Sequence, residues 1–489
     1  VDTVNSVIDF LADRLYSVFL IYLLIGVGLY FTIRTKFVQV RLLPSMFKAI
    51  GGSRSNAEGG ISAFQAFCVG LASRVGTGNI AGVAIAITLG GPGAIFWMWV
   101  VAVVGMATAF IEATLAQMYK VRNPDGSFRG GPAYYIQYGL GSRRWGIVFA
   151  CLLIFAFGFA FNMVQANTIT ESFSTTLELD AGWIAVFLVV LSAPILFGGV
   201  RRIARVAEYL LPLMAVVYVL LAAVIVAMNV GEVPTVLGQI VSSAFGLDEA
   251  IGGTTGGILA AMLNGVKRGL FSNEAGMGSA PNAAATATVS HPVKQGLIQS
   301  LGVFFDTIVI CSATAFIILV SGVYQVGEPT DVAGAVLTQD SISAQLGTWT
   351  AVPMALLIFT FAFSSILGNY SYAEINLNFL GVDGRLLNVL RTIVLAAIGF
   401  GSLTALNTVW ALADVAMAGM ATVNLVAIAL LGKWAFGALA DFEAMRREGR
   451  DDRFVGRGNK YLPGDLPGDI WDPILQDDSA TGTPKPIKE

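Results

Sequence analysis

Long apolar stretches separated by short polar connections run along nearly the whole chain. A helix of about 20 apolar residues crosses the hydrocarbon core of a bilayer. Eleven stretches are predicted as spans, near 15–33, 61–89, 93–119, 145–172, 182–199, 206–229, 252–288, 295–322, 349–376, 387–403 and 405–430. The 252–288 stretch is long and weakly apolar, so it works as a span only if it is interrupted. The run NPDGSFRGGPAYYIQYGLGSRR, 123–144, is too polar to cross. Its PAYYIQYGL portion predicts a short helix at the inner surface with aromatic rings at headgroup level. The 332–346 stretch predicts a second such helix outside.

Composition fits this reading. The chain has 489 residues, 55% of them hydrophobic and 12% charged, with mean hydropathy +0.73. Soluble domains carry about 25% charged residues. The bilayer is thus the partner that composition demands. The net charge of −3 points to no other partner; no nucleic acid is expected, and the chain is expected to be a monomer. Cys68, Cys151 and Cys311 lie in separate apolar stretches and read as small buried hydrophobes. The single histidine, His291, stands beside Pro292 in a polar turn. Metal-ligand spacings are lacking, and no cofactor is expected. The first apolar stretch begins near Leu15 without a basic flank, so a cleavable leader is not expected.

Charge placement orients the spans. Arg34, Lys36, Arg41, Lys48 and Arg54 follow the first, and Lys120, Arg122, Arg129, Arg143 and Arg144 follow the third. Arg201, Arg202 and Arg205, then Lys294, then Arg385 and Arg391, then Lys433 occupy further alternate connections. The intervening ones carry Glu178, Asp180, Glu232, Asp248, Glu249, Glu328, Asp331 and Asp340 with no lysine or arginine. The positive-inside rule then predicts an outside N-terminus and a cytoplasmic C-terminus, which requires an odd number of spans. The tail from Asp441 is polar and reads as cytoplasmic and partly disordered.

One polar cluster conflicts with the span that contains it. RVGTGNIAG, Arg74 to Gly82, places an arginine, an asparagine and three glycines at membrane depth. A near echo, RGLFSNEAGMG, begins at Arg268. In both, the asparagine (Asn79, Asn273) follows the arginine by five residues and a glycine (Gly82, Gly276) follows the asparagine by three. Each cluster lies in the first span of a five-span block, 61–229 and 252–430, and the two blocks have opposite orientation. Gly-interrupted first helices in inverted repeats point to a secondary transporter with its site at the breaks. An unwound helix in hydrocarbon is tolerated only where its freed backbone groups face a ligand, an ion or a protein-lined cavity. Half-helix N-termini suit a carboxylate, and unwound carbonyls suit a hard cation. Gly76, Thr77, Gly78 and Asn79 are therefore expected to bind the carboxylate and amine ends of a small amino acid, with sodium beside them at Gly76 and Asn79. Close helix packing through small residues accounts for Gly82 and Gly105. It does not account for Arg74, Asn79, Asn273 or Glu274.

GLASRVGTGNIAGVAIAITLGGPGAIFWMW, GGPAYYI and KRGLFSNEAGMGSAPNAAATA resemble the alanine or glycine:cation symporter family, the sodium:alanine symporters of bacteria and archaea, over residues 1 to 435. The resemblance implies an all-α polytopic fold. This is a five-plus-five inverted repeat of the leucine/sodium symporter type, within the amino acid-polyamine-cation superfamily, with one extra N-terminal helix. It implies uptake of alanine or glycine with sodium as coupling ion, in the plasma (inner) membrane. The domains are then 1–58, the extra helix and its cytoplasmic loop; 59–230, the first repeat; 251–431, the inverted second; and 432–489, the tail. The fold class also places hydroxyls of the span 349–376 on the sodium: Thr360, Ser364 and Ser365.

Further candidates come from single residues. Gln165, polar at depth beside Asn162 and Asn167, faces the substrate or makes an interhelical hydrogen bond. Phe271 closes over a small side chain or simply packs. Trp410 is an interface anchor or, by the resemblance, lines the pocket on its outer side, with Asn407 a weaker candidate. Glu112, Glu274, Asp306, Glu374 and Asp414 are costly charges in a membrane. Glu274 is expected to pair with Arg268 or Lys267, and Arg74, Arg268 and Glu274 are candidate gating residues. The rival functions are proton-coupled amino acid transport through Glu112 or Asp306, a channel, and a membrane enzyme. A channel needs a continuous polar lining, and an enzyme needs a convergent catalytic set; the sequence shows neither.

Overall fold

A computed structural model describes residues 15–53, 61–198, 200–247, 255–325, 334–381, 384–450 and 453–472. The described chain is helical apart from one two-stranded hairpin, Val121–Arg122 with Phe128–Arg129. The helices that matter here are α1 (Ile21–Arg34), α2 (Ala63–Arg74), α3 (Gly78–Gly90), α4 (Gly93–Met118), α5 (Pro132–Gly139) and α6 (Arg143–Leu177). They continue with α7 (Ala181–Leu196), α8 (Val200–Met228), α9 (Val233–Ala244), α10 (Thr255–Asn273), α11 (Ala280–Thr286) and α12 (Pro292–Val320). The last four are α13 (Gly334–Leu346), α14 (Ala351–Phe379), α15 (Gly384–Leu403) and α16 (Leu406–Arg447).

Every predicted apolar stretch is occupied by helix. Among the described residues, seven helices are long and apolar enough to cross a membrane, and eight if the bent pair α2–α3 counts as one span. Two of the others, α1 and α7, are apolar but shorter. The predicted 252–288 span is interrupted, as its composition required: α10 ends at Asn273 and α11 resumes at Ala280.

Two packed groups stand out. In one, α4 lies against α10 and α12. In the other, α6 lies against α14 and α15, and α7 lies against α15. The apolar window of α4 is 72% buried within the protein and that of α8 only 28%, so α4 is an interior helix while α8 turns most of its surface outward. The broken pair α2–α3 touches both groups, α2 against α14 and α3 against α10.

Three expectations are corrected in whole or in part, and a portion of the tail is ordered. Two of the three aromatics of α5 turn inward: Tyr134 and Tyr135 are buried while Tyr138 is exposed, and the Tyr135 hydroxyl hydrogen-bonds Asn424 Oδ1. A phenol offers an apolar ring and a polar tip, which suits this interior position. Helix α13 is no surface helix either. It packs on the first break, where Thr338 Oγ1 donates to Ile80 O at 3.4 Å. Cys151 is exposed on the outer face of α6, while Cys68 and Cys311 are buried. Within the tail, residues 453–472 are folded against the body. Phe454 N donates to Ser290 O at 2.9 Å, and Trp471 Nε1 donates to Gln117 O at 3.0 Å. Phe454 and Trp471 are buried there, and His291, itself buried, packs edge-on against Phe442 and Phe454. Two aromatic anchors in an otherwise polar tail supply the apolar burial that its average composition conceals. Residues 473–489 lie outside the described residues.

Candidate functional site

Helix α2 starts with a capping box, in which Ser62 Oγ accepts from Gln65 N and Gln65 Oε1 accepts from Ser62 N. It ends at Arg74, where Val75 leaves helical geometry (φ −78°, ψ 87°). The chain turns by 48° and resumes as a π-helical segment, Gly78–Gly82. The groups freed by this break find side-chain partners, as buried backbone must. Asn79 Oδ1 accepts from Gly76 N at 2.9 Å, Gln165 Oε1 accepts from Thr77 N at 3.2 Å, and Ser365 Oγ donates to Ala72 O at 2.9 Å. Gly76 is required here because a Cβ at this position would overlap Ser365 Oγ.

The second break carries three departures from right-handed geometry at alternate positions: Glu274 (φ 56°), Gly276 (φ 90°) and Gly278 (φ 82°). A non-glycine residue at positive φ is strained and persists only when its surroundings hold it. Glu274 is held from both sides. Ser73 Oγ lies 2.6 Å from Oε1, and Ser279 Oγ lies 2.6 Å from Oε2. Glu112 Oε1 accepts from Gly276 N at 3.3 Å, and Asn424 Nδ2 bonds Glu112 Oε2 and Gly276 O, both at 2.9 Å. Asn273 Oδ1 accepts from Ala275 N at 3.0 Å.

The two breaks meet. Ser73, one residue before the end of α2, touches Glu274, the first residue of the second break. Ser73 Oγ is also 2.7 Å from Asn369 Oδ1, whose amide donates to Asn162 Oδ1 at 3.1 Å. A continuous polar chain thus runs from α6 through α14 and α2 into the second break.

An aromatic stack adjoins the first break. The Phe271 ring stacks on Phe161 at 4.4 Å and tilts against Trp410 at 4.6 Å. Phe271 also lies against Gly78, and Trp410 against Gly82. The Arg268 guanidinium sits 4.5 Å over Trp410 and pairs with Asp414 at 2.5 Å. Trp410 is buried, so it anchors no interface.

Of the residues named from sequence, the fold brings Gly76, Thr77, Gly78, Asn79, Gln165, Phe271, Trp410 and Ser365 around the first break, with Asn273 at the second. Thr360 and Ser364 lie elsewhere. The Thr360 hydroxyl is spent on Leu356 O at 2.8 Å, and that of Ser364 on Phe361 O at 2.8 Å. The expected pairing of Glu274 with Arg268 or Lys267 is replaced by the serine contacts above, because Arg268, six residues earlier, projects towards Asp414 on α16. Arg74 is 2% exposed; its Nη1 donates to Gln299 O at 3.2 Å while Nε and Nη2 find no acceptor among the described residues. Asn167 bonds Thr404 O at 2.7 Å, an interhelical role. Sequence reasoning missed Ser73, Asn369 and Asn424, single polar residues with no local pattern. Asp306 was visible as an expensive charge and a proton-coupling candidate, without its partners. Its Oδ1 accepts from Asn79 Nδ2, and its Oδ2 from Ser272 and Thr307 hydroxyls, all at 2.7 Å.

A family model described as the sodium:alanine symporter family matches residues 1–456. The probable sodium/glutamine symporter GlnT of Bacillus subtilis is 49% identical over 90% of this chain and 91% of its own. The putative sodium/proton-dependent alanine carrier protein YrbD of the same organism is 44% identical over 91% and 94%. The sodium/alanine symporter AgcS of Methanococcus maripaludis is 37% identical over 91% and 97%. A solved nucleobase-cation-symport-1 family transporter aligns over 79% of each chain with TM-score 0.45 and 13% identity, a loose likeness.

Proposed function

The chain belongs to the sodium:alanine symporter family, and from that premise we propose that it imports small neutral amino acids, alanine or glycine, with sodium by alternating access. It sits in the plasma membrane of a bacterium or archaeon as a monomer of eleven spans, N-terminus outside and C-terminus inside. Residues 59–230 and 251–431 form the two inverted five-helix repeats. The observation that carries the reading is the contact of the two helix breaks through Ser73 and Glu274. Together with Gly76 and Asn79, this contact gathers freed backbone groups, hydroxyls and amides at one buried place.

The amino acid binds across the first break. Its carboxylate takes the N–H groups of Gly76, Thr77 and Gly78 at the start of α3, in place of the Asn79 and Gln165 oxygens that accept from Gly76 and Thr77. Helix N-termini favour such an anion. Phe271 and Trp410 cover the small side chain, and Asn273 contributes from the second break. Sodium takes the oxygens of Ala72, Gly76 and Ser365, where the α14 hydroxyl already reaches a carbonyl in the last turn of α2. Each ligand orders the turn that the other needs, which is what coupling requires. Rocking of one helix group against the other then exposes the site inside. The reaction is transport, without covalent chemistry.

Proton coupling is a second reading, favoured by the buried Asp306 carboxylate beside Asn79 and by the sodium/proton-dependent relative at 44% identity. Purified protein in liposomes decides between them. Under an inward sodium gradient at fixed pH, labelled alanine is expected to accumulate, with unlabelled glycine and glutamine as competitors. Replacing sodium by potassium is expected to stop accumulation. Accumulation that persists without sodium and follows a pH gradient overturns sodium coupling.

A further inference from the structure

The first broken helix begins where the second one ends. Ile61, just before the Ser62 cap of α2, pairs with Ala287, just beyond α11, and Thr288 N donates to Ile61 O at 3.2 Å. The end of α4 closes on the same place. Gln117 Nε2 donates to Ala287 O at 3.0 Å, and Lys120 Nζ donates to that carbonyl at 2.9 Å. The ends of α2, α4 and α11 thus form one junction, on the side that the charge pattern puts in the cytoplasm.

The docked tail crosses this junction. On one side it grips the junction itself, through Phe454 N on Ser290 O and Trp471 Nε1 on Gln117 O. On the other it grips α16. Asn459 Nδ2 donates to Asp441 Oδ2 at 3.1 Å, and the Tyr461 carbonyl packs on Gly437, where a Cβ would overlap it. The two grips are joined within the tail. Gly456 N donates to Trp471 O at 2.7 Å, and the Phe454 ring stands edge-on to Trp471 at 5.4 Å. Helix α16 packs on α6 of one helix group and on α4 of the other, so it is shared between them. A segment fastened both to α16 and to the ends of α4 and α11 resists any rocking that parts the groups here. Each grip rests on few bonds. Losing one neutral hydrogen bond shifts a two-state balance about two- to tenfold, enough to bias opening without forbidding it.

We propose that residues 453–472 form a strap that holds the cytoplasmic side closed and lets go of the junction or of α16 each time the site opens inward. The inference rests on the symport reading above for its sidedness and for the rocking motion. The strap acts on opening and leaves the binding site at the breaks untouched. Loosening it therefore moves the balance towards the inward-open form, and fixing it stops the cycle with the site still able to fill from outside. A tail that merely covers apolar surface does neither.

The test locks and loosens the strap in the full chain. Ser290→Cys with Phe454→Cys, in a chain whose exposed Cys151 is replaced by serine, puts two thiols on backbones that are hydrogen-bonded and within disulfide reach. The oxidised protein is expected to keep the rise in melting temperature given by alanine with sodium, to carry no alanine into liposomes, and to recover uptake on reduction. For loosening, Trp471→Phe keeps a buried ring and loses the donation to Gln117 O, and Asn459→Ala releases the α16 side. Apparent affinity from each side scales with the fraction of protein open to that side. The ratio of outside to inside half-saturation concentrations for alanine, in liposomes of one protein orientation, is therefore expected to rise about two- to tenfold in each variant. Oxidised protein that carries alanine as fast as reduced protein overturns the strap, and so does loss of alanine binding on oxidation. An unchanged ratio in both loosened variants overturns it as well. If wild-type uptake needs no sodium, the symport reading fails while the effect of the lock stands, so the two failures are distinguishable.

Discussion

Ser73 and Glu274 stand 201 positions apart in the chain, yet Ser73 Oγ meets Glu274 Oε1 at 2.6 Å and joins the two broken helices at their breaks. Glu274 also holds a positive φ that its serine contacts must sustain. Glu274→Ala leaves Ser73 only its Asn369 acceptor and strands the Ser279 hydroxyl, at a cost of about 1–3 kcal/mol in stability. Glu274→Gln keeps an acceptor and is expected to fold, with slower uptake and little change in melting temperature. Thermal melting in detergent beside uptake in liposomes checks both. Equal melting of Glu274→Ala and wild type contradicts the assignment.

Gly76 faces Ser365 Oγ with no space for a methyl group. Gly76→Ala is expected to abolish uptake by pushing α14 from the first break. Ser365→Ala removes the hydroxyl from Ala72 O and is expected to raise the sodium requirement about tenfold, the effect of one lost ligand oxygen. Thr360→Ala and Ser364→Ala are expected to leave it unchanged, since their hydroxyls serve their own helix. Sodium titration of uptake in the four variants separates these outcomes.

Arg268 and Asp414 form a buried pair under the Trp410 ring. Breaking a buried pair on one side leaves an uncompensated charge and costs about 3–5 kcal/mol, whereas replacing both members by apolar residues is often neutral. Asp414→Ala is therefore expected to melt well below wild type, and Arg268→Met with Asp414→Leu close to it. The double variant tests whether the pair also restrains the outer side. If it does, a cysteine placed at Gly82 is labelled faster from outside than in wild type.

Lys120 lies beyond the end of α4, where its Nζ donates to Ala287 O at 2.9 Å and sits over the Phe128 and Trp471 rings. Burial pushes its ammonium down from 10.5 to about 7, and Arg122 adds to the effect. Between those values the unfolded chain binds more protons than the folded one, so stability rises with pH across that window. The penalty is fully present below about pH 7 and fades towards about pH 10. Lys120→Met is expected to flatten this slope, which melting curves across the window measure. Trp471→Ala, by contrast, is expected to lower the melting temperature at every pH, because it removes a buried ring from the tail contact.

The breaks were legible because glycines and polar residues in an apolar run are anomalous against the rest of the chain. That anomaly named Gly76, Asn79, Asn273 and Glu274 without any structure. Partners were less legible. Spacing could group Thr360 with Ser364 on one helical face, but only packing against Ala72 shows that Ser365, one residue further round, faces the break. Asp414 lies 146 positions from Arg268, and nothing local connects them. Tail docking was hidden because two aromatic anchors, Phe454 and Trp471, barely change the composition of a polar segment.

Asn79 joins everything proposed for the site, since its oxygen closes the unwound turn at Gly76 and its amide reaches Asp306. The most direct test is sodium-driven alanine uptake by Asn79→Ala in liposomes, alongside a melting curve that shows the variant folded. Uptake is expected to fall by at least about tenfold, the effect of losing one hydrogen bond to a charged group. Uptake kinetics equal to wild type in a folded Asn79→Ala protein would contradict the placement of the transport site at the first break.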